Sequence, residues 1–405
     1  MTSHLLSKAV ADFVAQKSDY YRNWTYDQPV IVYEETNQRL KKVGLLLQKF
    51  IAHVARNYFV NGYDKYMPLT ERSQRVLAIF NQRDDYDVGT FRTDFVLDQN
   101  NQPKLIEITC RFAFNGYFET SVFNALAPAF ARDQCMSGTP SDYYAAFPPY
   151  LEHKIGTNRR VCILVGHGKP EASKLYTSIL EDAQIEVARV HYSEIEKSKA
   201  LLASSLVISE ITITEIESLS DRDLEFLARC RLLNDYRTVL IAHDKRFFEL
   251  LANEALLSNV FSESEHRRLA PFVLKTLSAE GVSEQCLHQE KNSWVLKHRS
   301  LGKSEGVFAG LEFSESEWRS LVASLSLVDY VAQEWVPQRR FKGTVKGEAH
   351  NDYVAGTLMY FDEQFFGVGL FRCSSHLVSN KVDDRKAFPL CVRSTDGSIP
   401  QLLAF

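Results

Sequence analysis

Two short apolar segments separated by a polar turn constrain the fold of this chain more than any other feature. The first segment covers Phe91–Asp98, the second covers Leu105–Thr109, and the turn between them begins Gln-Asn-Asn-Gln-Pro. Short segments rich in apolar residues and bounded by turn formers are typical of β-strands. We therefore predict two strands joined as a β-hairpin.

Four polar side chains of this hairpin are placed to meet on one face. Arg92 and Asp94 are two apart on the first strand, and Glu107 and Thr109 are two apart on the second. Side chains two apart on a strand point the same way. Carboxylate oxygens suit Mg²⁺, and a guanidinium suits a transferring phosphoryl group. The alternative is a hairpin whose solvated face carries an ordinary salt bridge.

The composition indicates a globular protein with room for two or three domains. The chain has 405 residues, 45% hydrophobic and 24% charged, with a formal net charge of −4. This charge argues against a nucleic-acid binder that depends on phosphate contacts, although it allows a local basic pocket for a nucleotide. There is no run of about 18 apolar residues, so we expect no transmembrane helix and no membrane partner.

The cysteines and the N-terminus indicate a cytoplasmic location. The seven cysteines are dispersed and include no Cys-x-x-Cys pair, which fits a reducing compartment better than a disulfide framework. The N-terminal residues do not have the pattern of a secretory signal peptide.

The sequence pattern divides the chain into three regions. Residues 1–158 contain helices and the hairpin, and residues 244–405 contain antiparallel strands with helices that begin at capping boxes, Ser262-x-x-Glu265 and Ser314-x-x-Glu317. Residues 159–243 alternate strands and helices, which indicates a small parallel sheet. Its predicted strands are Val161–Val165, Ile185–Val190, Leu206–Ile208 and Val239–Ala242.

Four local patterns follow one another in a specific order. They are Arg92-x-Asp94 with Glu107, Lys245 just after a buried strand, the strand Val295-Leu296-Lys297 with a glycine-containing turn behind it, and the strand Val331–Val336. In this order they resemble the circularly permuted ATP-grasp ligases, the group that contains eukaryotic-type glutathione synthetase and the synthetase domain of glutathionylspermidine synthase. The resemblance spans about residues 90 to 392. It implies a mixed α+β and α/β chain with a circularly permuted ATP-grasp fold and a small parallel-sheet substrate subdomain.

The resemblance implies a metal site and a phosphate site. Asp94 and Glu107 would hold Mg²⁺ on the phosphates of ATP, with Thr109 as a weaker ligand where the family has asparagine. Glu305 would supply a third carboxylate. Arg92 and Arg372 would be the catalytic arginines at the transferred phosphoryl group.

The remaining roles that the resemblance implies concern ATP. Lys245 and Lys297 would bind the phosphates from two sides, and Lys303 would replace an arginine of the mobile loop. The adenine would lie against the segment Gln333, Glu334, Trp335 and Val336, and Asn380 would lie near the phosphates and the substrate.

These roles predict an ATP-dependent carboxylate–amine ligase that forms an amide through an acyl phosphate. Its partners would be a small-molecule carboxylate and a small-molecule amine, whose identities the sequence leaves open together with the oligomeric state. The alternative is a catalytically weakened ATP-grasp-fold protein that binds nucleotide or acts as a scaffold. Thr109 and the loss of glycines from the turn before Val307 favour this alternative.

Overall fold

The computed structural model describes residues 23–117, 120, 143–168, 177, 180–181, 184–302, 304–379, 383–392 and 404–405. The helices within these residues are α1 (Glu34–Asn57), α2 (Glu71–Phe80), α3 (Tyr143–Ile155), α4 (Lys199–Ala203), α5 (Ile213–Ser218), α6 (Asp221–Ala228), α7 (Tyr236–Ala242), α8 (Phe247–Leu251), α9 (Glu254–Leu257), α10 (Glu263–Leu269), α11 (Glu284–Gln289) and α12 (Glu315–Ser324). The strands are β1 (Val30–Tyr33), β2 (Thr90–Leu97), β3 (Pro103–Thr109), β4 (Arg160–Val165), β5 (Glu186–His191), β6 (Leu206–Glu210), β7 (Arg231–Leu232), β8 (Thr276–Ser278), β9 (Trp294–His298), β10 (Val307–Ala309), β11 (Tyr330–Glu334), β12 (Phe341–Val345), β13 (Glu348–Phe361), β14 (Gln364–Val368), β15 (Phe371–Ser374), β16 (Arg385–Ala387) and β17 (Pro389–Val392).

The large antiparallel sheet is built around the long strand β13. The strand order is β16-β15-β13-β2-β3, and β12 and β14 also pair with β13. The predicted hairpin is confirmed as β2 and β3, with Arg92 opposite Thr109 and Asp94 opposite Glu107. The register shifts just after Asp94, which is the irregularity expected of a β-bulge. The polar face of the hairpin therefore has the pairing that its sequence predicts.

A second antiparallel sheet of four strands has the order β10-β9-β11-β8. It contains the two predicted strands as β9, which runs one residue past Lys297 to His298, and β11, which ends at Glu334 and not at Val336 as predicted; β9 lies directly beside β11. Helices α10 and α12 begin as predicted, because Ser262 and Ser314 form capping boxes with Glu265 and Glu317.

The region after residue 159 contains the small parallel sheet that the sequence predicts, in the order β5-β4-β6-β7. Three of the four predicted strands are confirmed. The prediction for Val239–Ala242 is wrong, because this segment is the end of helix α7. All residues of α7 are buried, so no face of this helix is exposed to solvent, and Asp235 caps its start by accepting a hydrogen bond from the Arg237 amide. Lys245 therefore follows a helix and not a strand.

Helix α1 packs its apolar stripe onto the large sheet. The stripe consists of buried residues at helical spacing: Leu40, Val43, Leu46, Leu47, Phe50, Ile51 and Val54. Gly44 lies where any side-chain atom would collide with the Tyr360 ring of β13. The same strand holds the helix through Tyr360 Oη, which donates a hydrogen bond to the Leu40 carbonyl at 2.8 Å. Strand β1, which precedes α1, pairs in parallel with β17 and was not predicted.

The division of the chain into three domains, with boundaries at residues 158 and 243, stays a prediction. Among the described residues, none of the helices combines the length and the apolar character that crossing a membrane requires.

Candidate functional site

Asp94 lies at the centre of the site, between two arginines. Arg92 donates to it from Nε and Nη2, at 2.7 and 3.1 Å, and Arg372 of β15 donates to Oδ2. Burial raises the pKa of Asp94, but the charges of Arg92 and Arg372 outweigh burial and leave this pKa below its ordinary value. Asp94 is therefore an ionised, buried carboxylate at neutral pH. The strand register explains the contact between Arg372 and Asp94. Ala355 of β13 pairs with Arg372 on one side and with Val96 on the other, and Asp94 is two residues from Val96 on the same face of β2.

Glu107 faces the first of two buried lysines. Lys245 Nζ lies 3.5 Å from Glu107 Oε1 and donates to the Leu301 carbonyl at 2.6 Å. The Lys245 amide also donates to the Arg299 carbonyl at 2.9 Å. These two bonds fix the lysine against the segment that follows β9, so its ammonium group reaches the hairpin from a distant part of the chain.

Lys297 is the second lysine, and it connects the two antiparallel sheets. Its Nζ donates to Gln333 Oε1 on β11 at 2.7 Å and to the Ile106 carbonyl on β3 at 3.1 Å. Gln333 is in turn oriented by Thr276, whose Oγ1 accepts from Nε2 at 3.1 Å. Burial lowers the pKa of Lys297 to about 8, and the charges of Glu107, Lys245 and Asp94 act on it as well. Lys297 thus lies within electrostatic range of both carboxylates and of the other lysine.

The cluster carries more positive than negative charge. Arg92, Arg372, Lys245 and Lys297 supply four cationic groups, and Asp94 and Glu107 supply two carboxylates. Both lysines and Asp94 are more than nine-tenths buried. A buried excess of positive charge favours an anion, and ammonium groups and guanidinium forks are the side chains that bind phosphate.

The predicted metal ligands are only partly brought together. Asp94 and Glu107 are direct partners across the hairpin and Thr109 is next to them, but Glu305 is exposed on the turn before β10. Within the described part of the chain, no group of three or more histidine, cysteine, aspartate or glutamate side chains could hold a metal ion. Mg²⁺ is often bound by one or two carboxylates together with substrate phosphates, so the pair of acids is a compatible donor set.

The residues predicted to contact adenine are at the end of β11. One carboxylate oxygen of Glu334 accepts from the Lys275 amide at 2.8 Å, and the Trp335 amide donates to the Ser293 carbonyl at 2.7 Å. These bonds tie the segment to the neighbouring strands and leave Val336 as the first residue beyond them. Lys303 and Asn380 lie outside the described residues.

Sequence reasoning missed two asparagines that position the hairpin. Asn115 Oδ1 accepts from Arg92 Nη1 at 3.1 Å, and the next residue, Gly116, has a φ of +79° that favours glycine. Asn234 is buried and accepts from the Thr90 amide at 2.7 Å, while its Nδ2 donates to the carbonyls of Thr90 and Cys110. No sequence signal distinguishes Asn234, because its partners are more than 120 residues away.

The comparison with protein families gives a match to part of the chain. A family model described as the AnkG N-terminal domain matches residues 44–241. No protein in the curated set matches the chain significantly. The expected membership of the circularly permuted ATP-grasp ligases is therefore wrong, since the family that matches is a different one. Short patterns of common polar residues on strands were an insufficient basis for a family assignment.

The matched residues include helix α1 from Gly44 onward, the β2–β3 hairpin and the small parallel sheet. They exclude Lys245, Lys297, Gln333 and Arg372, which come from the rest of the chain. Over just under half of its length, then, the chain is similar to the AnkG N-terminal domain.

Proposed function

We propose that this protein binds ATP and Mg²⁺ at the cluster around Asp94 and acts as an ATP-dependent carboxylate–amine ligase. The observation that carries the proposal is the pair of buried ammonium groups on the acidic hairpin. Lys245 Nζ is 3.5 Å from Glu107, and Lys297 Nζ donates to the Ile106 carbonyl beside Glu107. A triphosphate needs positive charge on several sides, and a magnesium ion needs carboxylate oxygens next to it.

The cluster offers both kinds of group within one small volume. Asp94 and Glu107 would hold the metal, and the two lysines would bind phosphate oxygens. Arg92 and Arg372 would stabilise the charge that spreads over the transferred phosphoryl group. Phosphoryl transfer depends mainly on positioning and charge neutralisation, so no nucleophilic side chain is required.

The proposed reaction has two steps. An oxygen of the substrate carboxylate attacks the γ-phosphorus, the bond between that phosphorus and the β,γ-bridging oxygen breaks, and ADP leaves with the electron pair. The amine nitrogen then attacks the acyl carbon, inorganic phosphate leaves with the electron pair of the C–O bond, and the amine loses a proton. The product is an amide, and water must be excluded from the acyl phosphate between the two steps.

The two antiparallel sheets meet at this cluster, where Lys297 bonds to both, and this arrangement supports the proposal of an ATP-grasp fold. An ATP-grasp fold, in which two sheets hold a nucleotide between them, stays a prediction and is independent of any family assignment. A cytoplasmic location is proposed as well, because the cysteines among the described residues form no disulfide and ATP is a cytoplasmic substrate.

A second candidate function is nucleotide binding without turnover, in a regulatory or scaffolding role. The contact of Asp94 with two arginines favours it, because both carboxylate oxygens already accept hydrogen bonds. The exposed position of Glu305 also favours it, since the third carboxylate predicted for the metal is outside the cluster.

One experiment separates the two functions. Purified protein is incubated with ATP, Mg²⁺, a panel of carboxylic acids and hydroxylamine, which converts an acyl phosphate into a stable hydroxamate. The ligase proposal predicts hydroxamate and an equal amount of ADP with at least one acid. Tight ATP binding with neither product would support the second function.

A further inference from the structure

Arg111 lies just beyond the hairpin, where the chain leaves β3. It is two residues past Thr109, which is the partner of Arg92 in the β2–β3 register. Two residues of extended chain span at most about 7 Å, so the backbone of Arg111 is close to the end of the site that holds Arg92. The guanidinium rests on the neighbouring ring, with Cζ 4.5 Å from the centroid of Phe112.

The surroundings of Arg111 connect the site with the small parallel sheet. Burial lowers the pKa of Arg111, while the negative charge of Glu215 acts in the opposite direction. Burial also lowers the pKa of His243 to about 3, and the charges of Lys245 and Arg111 add to this effect. Arg111 is therefore within electrostatic range of Glu215 on one side and of His243 on the other.

Glu215 does not serve as the ionic partner of Arg111. Its carboxylate accepts hydrogen bonds from the His167 amide at 2.7 Å, from the Thr212 amide at 2.7 Å and from Thr212 Oγ1 at 3.0 Å. These bonds cap α5 and hold the turn after β4, where any side chain at Gly166 would collide with the carboxylate. Glu215 is thus committed to the parallel sheet.

Two nitrogens at this position are buried without a hydrogen-bond partner in the part of the chain that the structure describes. They are Nε of Arg111 and Nδ1 of His243, a residue that is only 4% exposed. An unpaired buried polar group costs free energy, and a guanidinium fork matches a carboxylate with two parallel hydrogen bonds. A carboxylate bound here would satisfy the arginine.

We propose that Arg111 binds a carboxylate of the small-molecule acid other than the one that receives the phosphoryl group. The acid substrate is then a dicarboxylate, either a dicarboxylic acid or an acidic amino acid. This inference rests on the proposed ligase function. It adds the substrate class and assigns a specificity residue.

The test compares acids that differ in one carboxylate. Glutarate is paired with pentanoate, and L-glutamate with 4-aminobutyrate, in the hydroxylamine assay with ATP and Mg²⁺. We expect kcat/KM for the dicarboxylate of at least one pair to exceed that of its matched monocarboxylate by about 100-fold or more. In Arg111→Ala this preference should disappear through a higher KM for the acid, with the KM for ATP unchanged.

The control variant is Arg222→Ala, which removes an arginine that is 75% exposed in its side chain and pairs with Glu196 on the surface. It should keep the wild-type preference. Hydroxamate formation that is equal for both members of each pair, or a preference that survives Arg111→Ala, would overturn the inference while leaving the ligase function in place. If the protein does not bind ATP and Mg²⁺, the result contradicts the proposed ligase function, and the inference about Arg111 falls with it.

Discussion

Lys297 and Gln333 lie on neighbouring strands of the four-stranded antiparallel sheet, and their side chains meet in a hydrogen bond of 2.7 Å between Nζ and Oε1. Lys297 pairs with Val331 in the register, so Gln333 is the diagonal neighbour on the same face. The amide oxygen orients the ammonium group toward the hairpin without neutralising its charge. A buried lysine that keeps its charge and has a fixed direction is suited to a phosphate group.

Replacing Lys297 by methionine should abolish turnover. The variant keeps the length and the apolar stem of the side chain but removes the positive charge. A single well-placed cationic donor of this kind contributes on the order of 100- to 1000-fold in rate. The measurement is hydroxamate formation at saturating ATP, with circular dichroism to confirm the fold. Wild-type-like activity would remove Lys297 from the site.

Replacing Asp94 by asparagine should also abolish turnover and should lower stability. The change leaves two arginines beside a neutral amide, and breaking a buried ion pair costs about 3–5 kcal/mol. Chemical denaturation measures the stability, and the hydroxylamine assay measures turnover.

Asp352→Asn is the matched control for Asp94. Asp352 is equally buried on the same sheet and accepts hydrogen bonds from Arg385 Nε at 2.6 Å and from Tyr26 Oη at 2.7 Å. It is not part of the cluster, so its loss should lower stability to a similar degree and leave the activity of the folded protein intact. Equal activity in the two variants would show that Asp94 has only a structural role.

The affinity for ATP should fall as the pH rises above about 8. The pKa of Lys297 is lowered to about 8 by burial, so the free protein loses the ammonium charge above that pH. The loss should approach about tenfold per pH unit where deprotonation is complete. Isothermal titration between pH 7 and pH 9.5 measures it, and Lys297→Arg, which stays charged, should show a flatter profile.

The same pKa shift predicts a change in stability. The unfolded chain holds the Lys297 proton up to its ordinary pKa near 10.5, whereas the folded chain releases it near 8. Burial of the charged form costs free energy below pH 8, and this cost disappears as the pH rises from 8 to 10.5. The free energy of unfolding of the wild-type protein should therefore rise with pH over that window, and Lys297→Met should lack this rise. Denaturation at several pH values measures the difference.

Helix α1 should tolerate no side chain at Gly44. The methyl group of Gly44→Ala overlaps the Tyr360 ring, and overpacking of this kind typically costs about 1–3 kcal/mol of stability. Gly281→Ala is the control, because the nearest atom to its added methyl is the Ser278 carbonyl oxygen at 3.5 Å, an ordinary contact. Similar melting temperatures for the two variants would contradict the packing of α1 on β13.

Much of the fold follows from local patterns in the sequence. The hairpin, the strands that contain Lys297 and Glu334, and the capping boxes at Ser262 and Ser314 are predicted correctly apart from strand ends, because each has a short-range signal. The segment Val239–Ala242 is predicted wrongly, since a short apolar run is the same for a buried strand and a buried helix. Strand β1 is only four residues long, and its pairing with β17 depends on residues more than 350 positions away.

For the site as well, contacts between residues close in sequence could be predicted and contacts between distant residues could not. Arg92, Asp94 and Glu107 share a hairpin, so their proximity could be predicted from strand periodicity. Asn115, Asn234 and the Ile106 carbonyl act through contacts that only the folded chain creates. The family assignment failed for a related reason, because the order of short patterns does not carry the information of a full sequence match.

The central claim is that the cluster around Asp94 binds ATP with magnesium, and a direct binding measurement tests it. ATP is titrated isothermally into the wild-type protein with Mg²⁺, into the wild-type protein with EDTA, and into Lys297→Met with Mg²⁺. The second titration tests the need for magnesium, and the third tests the need for the lysine of the cluster. We predict saturable binding of one ATP per chain with Mg²⁺, much weaker binding with EDTA, and a loss of about 100-fold or more in the variant. Absence of binding to the wild-type protein, or equal affinity in Lys297→Met, would contradict the account.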